Sequence, residues 1–199
     1  MSKYLGIALF PLIFLLSACP STEVRDGVIH YVAPQEAKEE MWRSTACCSS
    51  LADIKYTELN AASKLRLKIN STLPTYNFST GTSYILAYKL PVSASPMKLT
   101  IKSFFSGYAF YPAVMLLNTE FKATHNYINA IFEFVPTRLN QKAYLEGSII
   151  VNPHDSPNYI LIYTTDKLMR LTNEETIENR NYVHHYGPVG AIEIEFVRI

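Results

Sequence analysis

Glu193 and Glu195 stand two residues apart in an alternating stretch, so a strand would put both carboxylates on one face. Paired carboxylates cleave glycosidic bonds when they face each other across a cleft about 5 to 9.5 Å wide, and they usually come from different elements. Two glutamates on one exposed strand face are expected to meet solvent instead. His184 and His185 are chain neighbours, and extended backbone turns them to opposite sides, so they cannot ligate one metal together. His154-Asp155 sits in a loop with Pro153 and Pro157 and reads as a turn. Ser49-Ser50 lacks the Gly-x-Ser-x-Gly elbow of a nucleophilic serine, and no glycine-rich loop is spaced to cradle a phosphate. The expectation is a non-enzymatic chain with no catalytic residues, no metal and no cofactor. Binding has a better candidate. Ser106-Gly107-Tyr108-Ala109-Phe110-Tyr111-Pro112 gathers three rings in a short loop between strands. Aromatic faces stack on sugar C–H surfaces while tyrosine hydroxyls hydrogen-bond, so Tyr108, Phe110 and Tyr111 are the candidate ligand-binding residues. The alternative is that these rings cap the end of the fold.

The chain has three cysteines. Cys19 follows Leu16-Ser17-Ala18, at the end of an apolar run from Leu5 to Leu16 that is preceded by the single charge of Lys3. That order is the signature of a secretory signal peptide. The run is about a dozen residues, against roughly 20 for a helix that spans a bilayer. A cysteine directly after Leu-Ser-Ala resembles the bacterial lipoprotein signal. The resemblance implies that residues 1–18 are removed and that Cys19 becomes an acylated first residue and membrane anchor. Each buried CH₂ contributes about 0.8 kcal/mol, so three acyl chains hold firmly. Residue 20 is Pro rather than Asp, which in lipoproteins of this kind implies the inner leaflet of the outer membrane, facing the periplasm. Cys47 and Cys48 are adjacent. An exported compartment favours disulfides, yet consecutive Cα atoms are about 3.8 Å apart, below the usual lower limit of about 4.4 Å. A vicinal ring, a bond between chains and two free buried thiols all stay open; an oxidised pair is the expectation.

These residues must be carried by a fold, and the dominant period is two. Leu65, Leu67 and Ile69 alternate with basic residues; Leu99 with Ile101, Leu145 to Val151, and Ile192 to Phe196 repeat the pattern. Further strands are expected at Tyr84–Leu90, Ala113–Leu117 and Ile128–Phe134, and Tyr159–Tyr163 is apolar on both faces and should be central. Helix is expected only at 34–43, with Pro34 at its start and Trp42 docking its end, and at Thr165–Thr176. Many short strands with Pro, Gly and Ser between them predict a mainly β, antiparallel β-sandwich, a closed barrel being the alternative. The expected organisation is signal peptide 1–18, a flexible lipidated tether 19–46 and a sandwich domain 47–199. Eighteen Lys and Arg against 17 Asp and Glu give +1, which provides no electrostatic case for nucleic acid.

Cys47-Cys48-Ser49-Ser50-Leu51, followed by Asp53-Ile54-Lys55-Tyr56, resembles the maltose-operon periplasmic proteins of Gram-negative bacteria (MalM-type). Phe78 to Tyr84, Lys89-Leu90-Pro91, Phe110 to Val114, Leu116-Leu117-Asn118 and Tyr159 to Thr165 continue it in order. The family pattern has Asp where this chain has Asn118, so a carboxylate role there does not carry over. The resemblance implies export, a maltodextrin-uptake setting and no enzymatic activity. The function expected from it is a non-catalytic envelope lipoprotein of maltose or maltodextrin transport that binds glycan. A module that docks a maltoporin or other envelope protein is the second reading.

Overall fold

The computed structural model describes residues 21–60, 62–128, 131–155 and 157–199, so Cys19 and the signal-peptide stretch lie outside the described residues. With strands numbered along the chain, one sheet runs β12 (Phe132–Val135), β13 (Tyr144–Val151), β8 (Met97–Phe104), β17 (Gly190–Arg198) and β4 (Ser63–Ile69), antiparallel throughout. Strict alternation makes β8 bury every second residue, from Met97 through Leu99, Ile101 and Ser103. A second sheet runs β11 (Ala123–Tyr127), β10 (Ala113–Leu117), β14 (Tyr159–Tyr163), β7 (Leu86–Lys89) and β3 (Thr57–Glu58). β14 is central, as its two apolar faces require: Tyr159 receives Tyr56 at 4.5 Å and Tyr163 receives Phe78 at 4.2 Å, while Ile160 and Ile162 point the other way. Phe78 belongs to a hairpin, β5 (Thr75–Phe78) and β6 (Gly81–Tyr84). The apolar residues of both large sheets merge into one core, the arrangement of a sandwich.

The third sheet is β1 (Ser21–Arg25), β2 (Val28–Val32), β16 (Arg180–Gly187) and β15 (Thr172–Ile177), with β9 (Ala109–Phe110) also pairing parallel to β16. Two sequence expectations are corrected here. From residue 21 the stretch assigned to a tether is ordered structure: β1 and β2 form a hairpin, and β2 pairs parallel to β16. Asp26 and Gly27 at its tip have φ of 51° and 78°, the two positive values of a type I′ turn, and Tyr31 stacks on Tyr182. Thr165–Thr176 is not a helix. Thr165 Oγ1 accepts from Leu168 N as a cap would, but one 3₁₀ turn at Leu168–Arg170 ends it, because residues 172–177 are taken by β15 pairing. Ile128 likewise lies outside β12. The helix α1 (Gln35–Arg43) is where the sequence places it, behind Pro34. Its docking residue is Met41, fully buried, whereas Trp42 is 49% exposed.

Candidate functional site

The aromatic loop is the joint between the third sheet and the sandwich. β9 takes Ala109 and Phe110 into register with Tyr186 and Gly187, and Ser103 Oγ donates to Phe110 O at 2.5 Å. Phe110 is 0% and Tyr111 5% exposed. Tyr111 meets Tyr186 edge-on at 4.8 Å and Phe132 at 5.9 Å. A Cβ on Gly190 would stand 2.8 Å from Phe110 N, so the backbones close over this ring. Phe110 and Tyr111 therefore offer no face to a ligand, which corrects the sequence reading in favour of its alternative. Tyr108 is half-buried beside a cleft between α1 and the edge of the first sheet, shared with Pro34, Lys68 and Val189.

The carboxylates and histidines are also spoken for. Glu193 and Glu195 share a strand face, but Glu193 does not meet solvent: its side chain is 6% exposed and accepts from Lys64 at 2.9 Å and Arg66 at 2.7 Å. Burial by itself raises its carboxyl, but Arg66 and Lys64 outweigh that and hold it below its ordinary range. His184 and His185 do point to opposite sides. His184 Nε2 lies 2.6 Å from Glu175 Oε1, and Glu175 also accepts from Thr137 N at 2.9 Å and Thr137 Oγ1 at 3.0 Å. Both side chains are buried, and the imidazole is enclosed by Tyr31, Phe105 and Phe134. This arrangement pins the third sheet to the segment after β12; it does not face a substrate. On the other side His185 Nε2 lies 3.2 Å from His30 Nδ1. The first contact was not legible without the β15–β16 hairpin, whose Glu178-Asn179 turn carries none of the usual glycine, nor the second without the parallel pairing of β2 and β16.

Cys47 and Cys48 are placed as a bonded vicinal pair, with Cys47 N donating to Thr75 O at 2.8 Å. The serines after them serve Asp53, whose Oδ2 accepts from Ser50 Oγ, Ser49 Oγ and Ser50 N at 2.8 to 3.0 Å. These bonds lower the Asp53 pKa. At Asn118 the amide does the structural work available to an Asp: Oδ1 accepts from Glu120 N at 2.9 Å and Lys122 N at 3.0 Å, shaping the β10–β11 turn.

A further surface cleft lies at the loop end beside that turn. A cleft of about 380 Å³ is lined by Leu90, Pro91, Ser93, Thr119, Asn158 and Met97 together with neighbouring apolar residues. Among the described residues its lining has no charged side chain; Ser93, Ser95, Thr119 and Asn158 supply its polar groups. A neutral, hydroxylated ligand suits such a lining, whereas an ionic one would be desolvated without a counter-charge.

The architecture is a mainly β sandwich with an added small sheet and an uncharged surface cleft. The family model for the maltose operon periplasmic protein precursor (MalM) matches residues 80–192, and the chain belongs to that family. Membership makes it a periplasmic, maltose-operon-associated protein. The match spans β6 through the first residues of β17, and the Cys47-Cys48 segment lies upstream of it. No curated protein sequence matches the chain.

Proposed function

We propose that this protein is a non-catalytic, lipid-anchored binding module of maltodextrin uptake, held to the outer membrane through Cys19 and taking glycan in the neutral cleft at the β7–β8, β10–β11 and β13–β14 loops. The observation that carries this reading is the composition of that cleft: hydroxyl and amide groups on apolar walls, with no charge among the described residues. Maltodextrins are neutral polyols whose pyranose faces are apolar, so they match both halves of the lining. The family's place in the maltose operon supplies the sugar class.

Calorimetric titration of the purified mature protein with maltoheptaose tests the reading. Heat of binding is expected for the native sequence. Thr119→Lys, which puts a charge into an uncharged cleft on an exposed turn, is expected to abolish it without lowering the melting temperature. Absence of heat with the native protein at millimolar sugar removes glycan recognition and moves the assignment to a module that docks a maltoporin or another envelope protein.

A further inference from the structure

A second groove runs along α1. Two adjoining clefts form it, sharing Glu36, Glu40 and Ser71: one of about 440 Å³ that is also lined by Tyr84, and one that continues past Lys68 to Tyr108. It lies at the other end of the sandwich from the neutral cleft. Ile69, in the groove wall, pairs with Gly190, whereas Met97, in the neutral cleft, pairs with Arg198. The strand from Gly190 to Arg198 spans about 27 Å. The groove is well framed. Met41 is fully buried under α1, and Ser44 Oγ donates to Thr75 Oγ1 at 3.0 Å, which ties the helix end to the β5–β6 hairpin.

Its chemistry is unbalanced in two ways. α1 carries Glu36, Glu39 and Glu40, of which Glu39 is paired with Arg43 at 3.0 Å. Glu36 and Glu40 have no ion-pair partner among the described residues. They stand one helical turn apart, a spacing at which like charges repel and work against the helix. A cation between them relieves that repulsion. Beside them in the same cleft is a hydroxyl without an acceptor. Tyr84 is 1% exposed, and its hydroxyl has no hydrogen-bond partner among the described residues. Buried donors left unpaired are costly and rare, so each one points to a partner. The Glu40 charge reaches this hydroxyl and, after burial itself, raises its pKa. The donor and the free carboxylates therefore belong to one site.

The spacing selects the ligand. Glu36 and Glu40 are about 6 Å apart along the helix axis, and alternate side chains of an extended peptide repeat at about 6.8 Å. Two lysines or arginines at alternate positions meet both carboxylates, and the peptide carbonyls between them offer the acceptor that Tyr84 lacks. A neutral sugar chain has hydroxyls for Tyr84 but leaves both carboxylates without a counter-charge. We infer that the groove along α1 is a docking site for an extended basic segment of a partner protein, with Glu36 and Glu40 pairing its cationic side chains and the Tyr84 hydroxyl donating to its backbone. The site is independent of the glycan reading of the neutral cleft.

Calorimetric titration of the mature protein with acetyl-Gly-Lys-Gly-Lys-Gly-amide tests the site, with the same peptide acetylated on both lysines as the uncharged control. Binding is expected for the first peptide, weakening as salt is raised, and not for the second. Glu36→Gln with Glu40→Gln is expected to weaken it about 2- to 30-fold, the range for two exposed ion pairs. Tyr84→Phe is expected to weaken it about 2- to 12-fold, the range for one hydrogen bond. Its melting temperature should not fall, because the lost hydroxyl has no partner within the fold. A fall in melting temperature would mean a hydroxyl bonded within the fold and would take Tyr84 out of the site. No heat with the basic peptide overturns the docking site, as does equal heat from the acetylated peptide or from the double glutamine variant. Maltoheptaose binding that is lost in that variant would make the groove a glycan subsite and overturn the inference as well.

Discussion

At the scale of the residue, this protein buries a charge where its sequence suggests a solvated one. Glu193 lies beneath Lys64 and Arg66, whose own side chains are 55% and 79% exposed, so two long cations fold over one carboxylate. Its folded pKa is depressed relative to the ordinary 4.5. A depressed carboxyl contributes stability that is fully present above its unfolded pKa and is lost as pH falls below it, because the unfolded chain then binds the proton more readily. Glu193→Gln is expected to cost about 1–2 kcal/mol at neutral pH, the order for a charge-assisted contact whose cations remain partly solvated. The difference between variant and native protein should shrink on acidification below the ordinary carboxylate range. Urea unfolding at neutral pH and in the acid range measures both; a difference independent of pH would assign the loss to packing rather than charge. Phe121 makes the opposite residue-scale point: its left-handed backbone costs about 1–3 kcal/mol, offset by its stack on Tyr159.

At the scale of the element, the β1–β2 hairpin is held to β16 by only three residue pairs in register, with side chains adding the rest. Tyr31 lies on Tyr182 and His184, and His30 faces His185 across the pair. Burial, and then the positive charges of His30, Lys38 and Arg25, lower the His185 pKa below 6.5, with Glu23 opposing them. The sign follows: with the folded pKa below the unfolded one, the unfolded chain binds more protons in the interval between them. Stability is then full above about pH 6.5 and falls as pH drops through that interval. The hairpin is expected to loosen as pH falls below about 6.5, read as faster amide exchange in residues 28–32 after correction for intrinsic rates. His30→Gln with His185→Gln should remove most of this dependence. Retention of the full pH effect in that double variant would place the titrating group elsewhere. The tether reading of 19–46 passed over the signal at the hairpin tip, where Asp26-Gly27 is a strong two-residue turn pair. The hairpin's membership in a sheet was not legible, because β16 lies about 150 residues further along the chain.

At the scale of the whole molecule, an ordered domain begins almost at the lipidation motif, with β1 starting at Ser21. Anchoring through Cys19 would then hold the third sheet close to the membrane. Intact mass without reduction reads the two cysteine proposals together: the native protein should carry the acyl mass on Cys19 and be two hydrogens lighter than two free thiols at Cys47 and Cys48. Cys19→Ser should lose the acyl mass and leave the membrane fraction; a variant that still fractionates with the outer membrane would refute the anchor. What the sequence determined by itself is local. Continuous apolar runs placed Ala113–Leu117 and Tyr159–Tyr163 at their observed bounds, and period-two alternation placed the cores of β4, β8, β13 and β17 within a few residues. The reason is that side chains of a strand alternate by geometry, whatever the strand pairs with. Pro34 before α1 and the opposed histidines were legible for the same reason, since each depends on neighbours in the chain. Only the tertiary structure decided the rest. Phe110 and Tyr111 are core because β9 docks on β16, Glu193 is buried because β4 lays Lys64 and Arg66 over it, and 172–177 is a strand because β16 is there to pair. Phe121, Tyr159 and Tyr56 meet for a like reason: burial and ring contacts are set by which strands become neighbours, and that is a property of long-range pairing that no local period encodes.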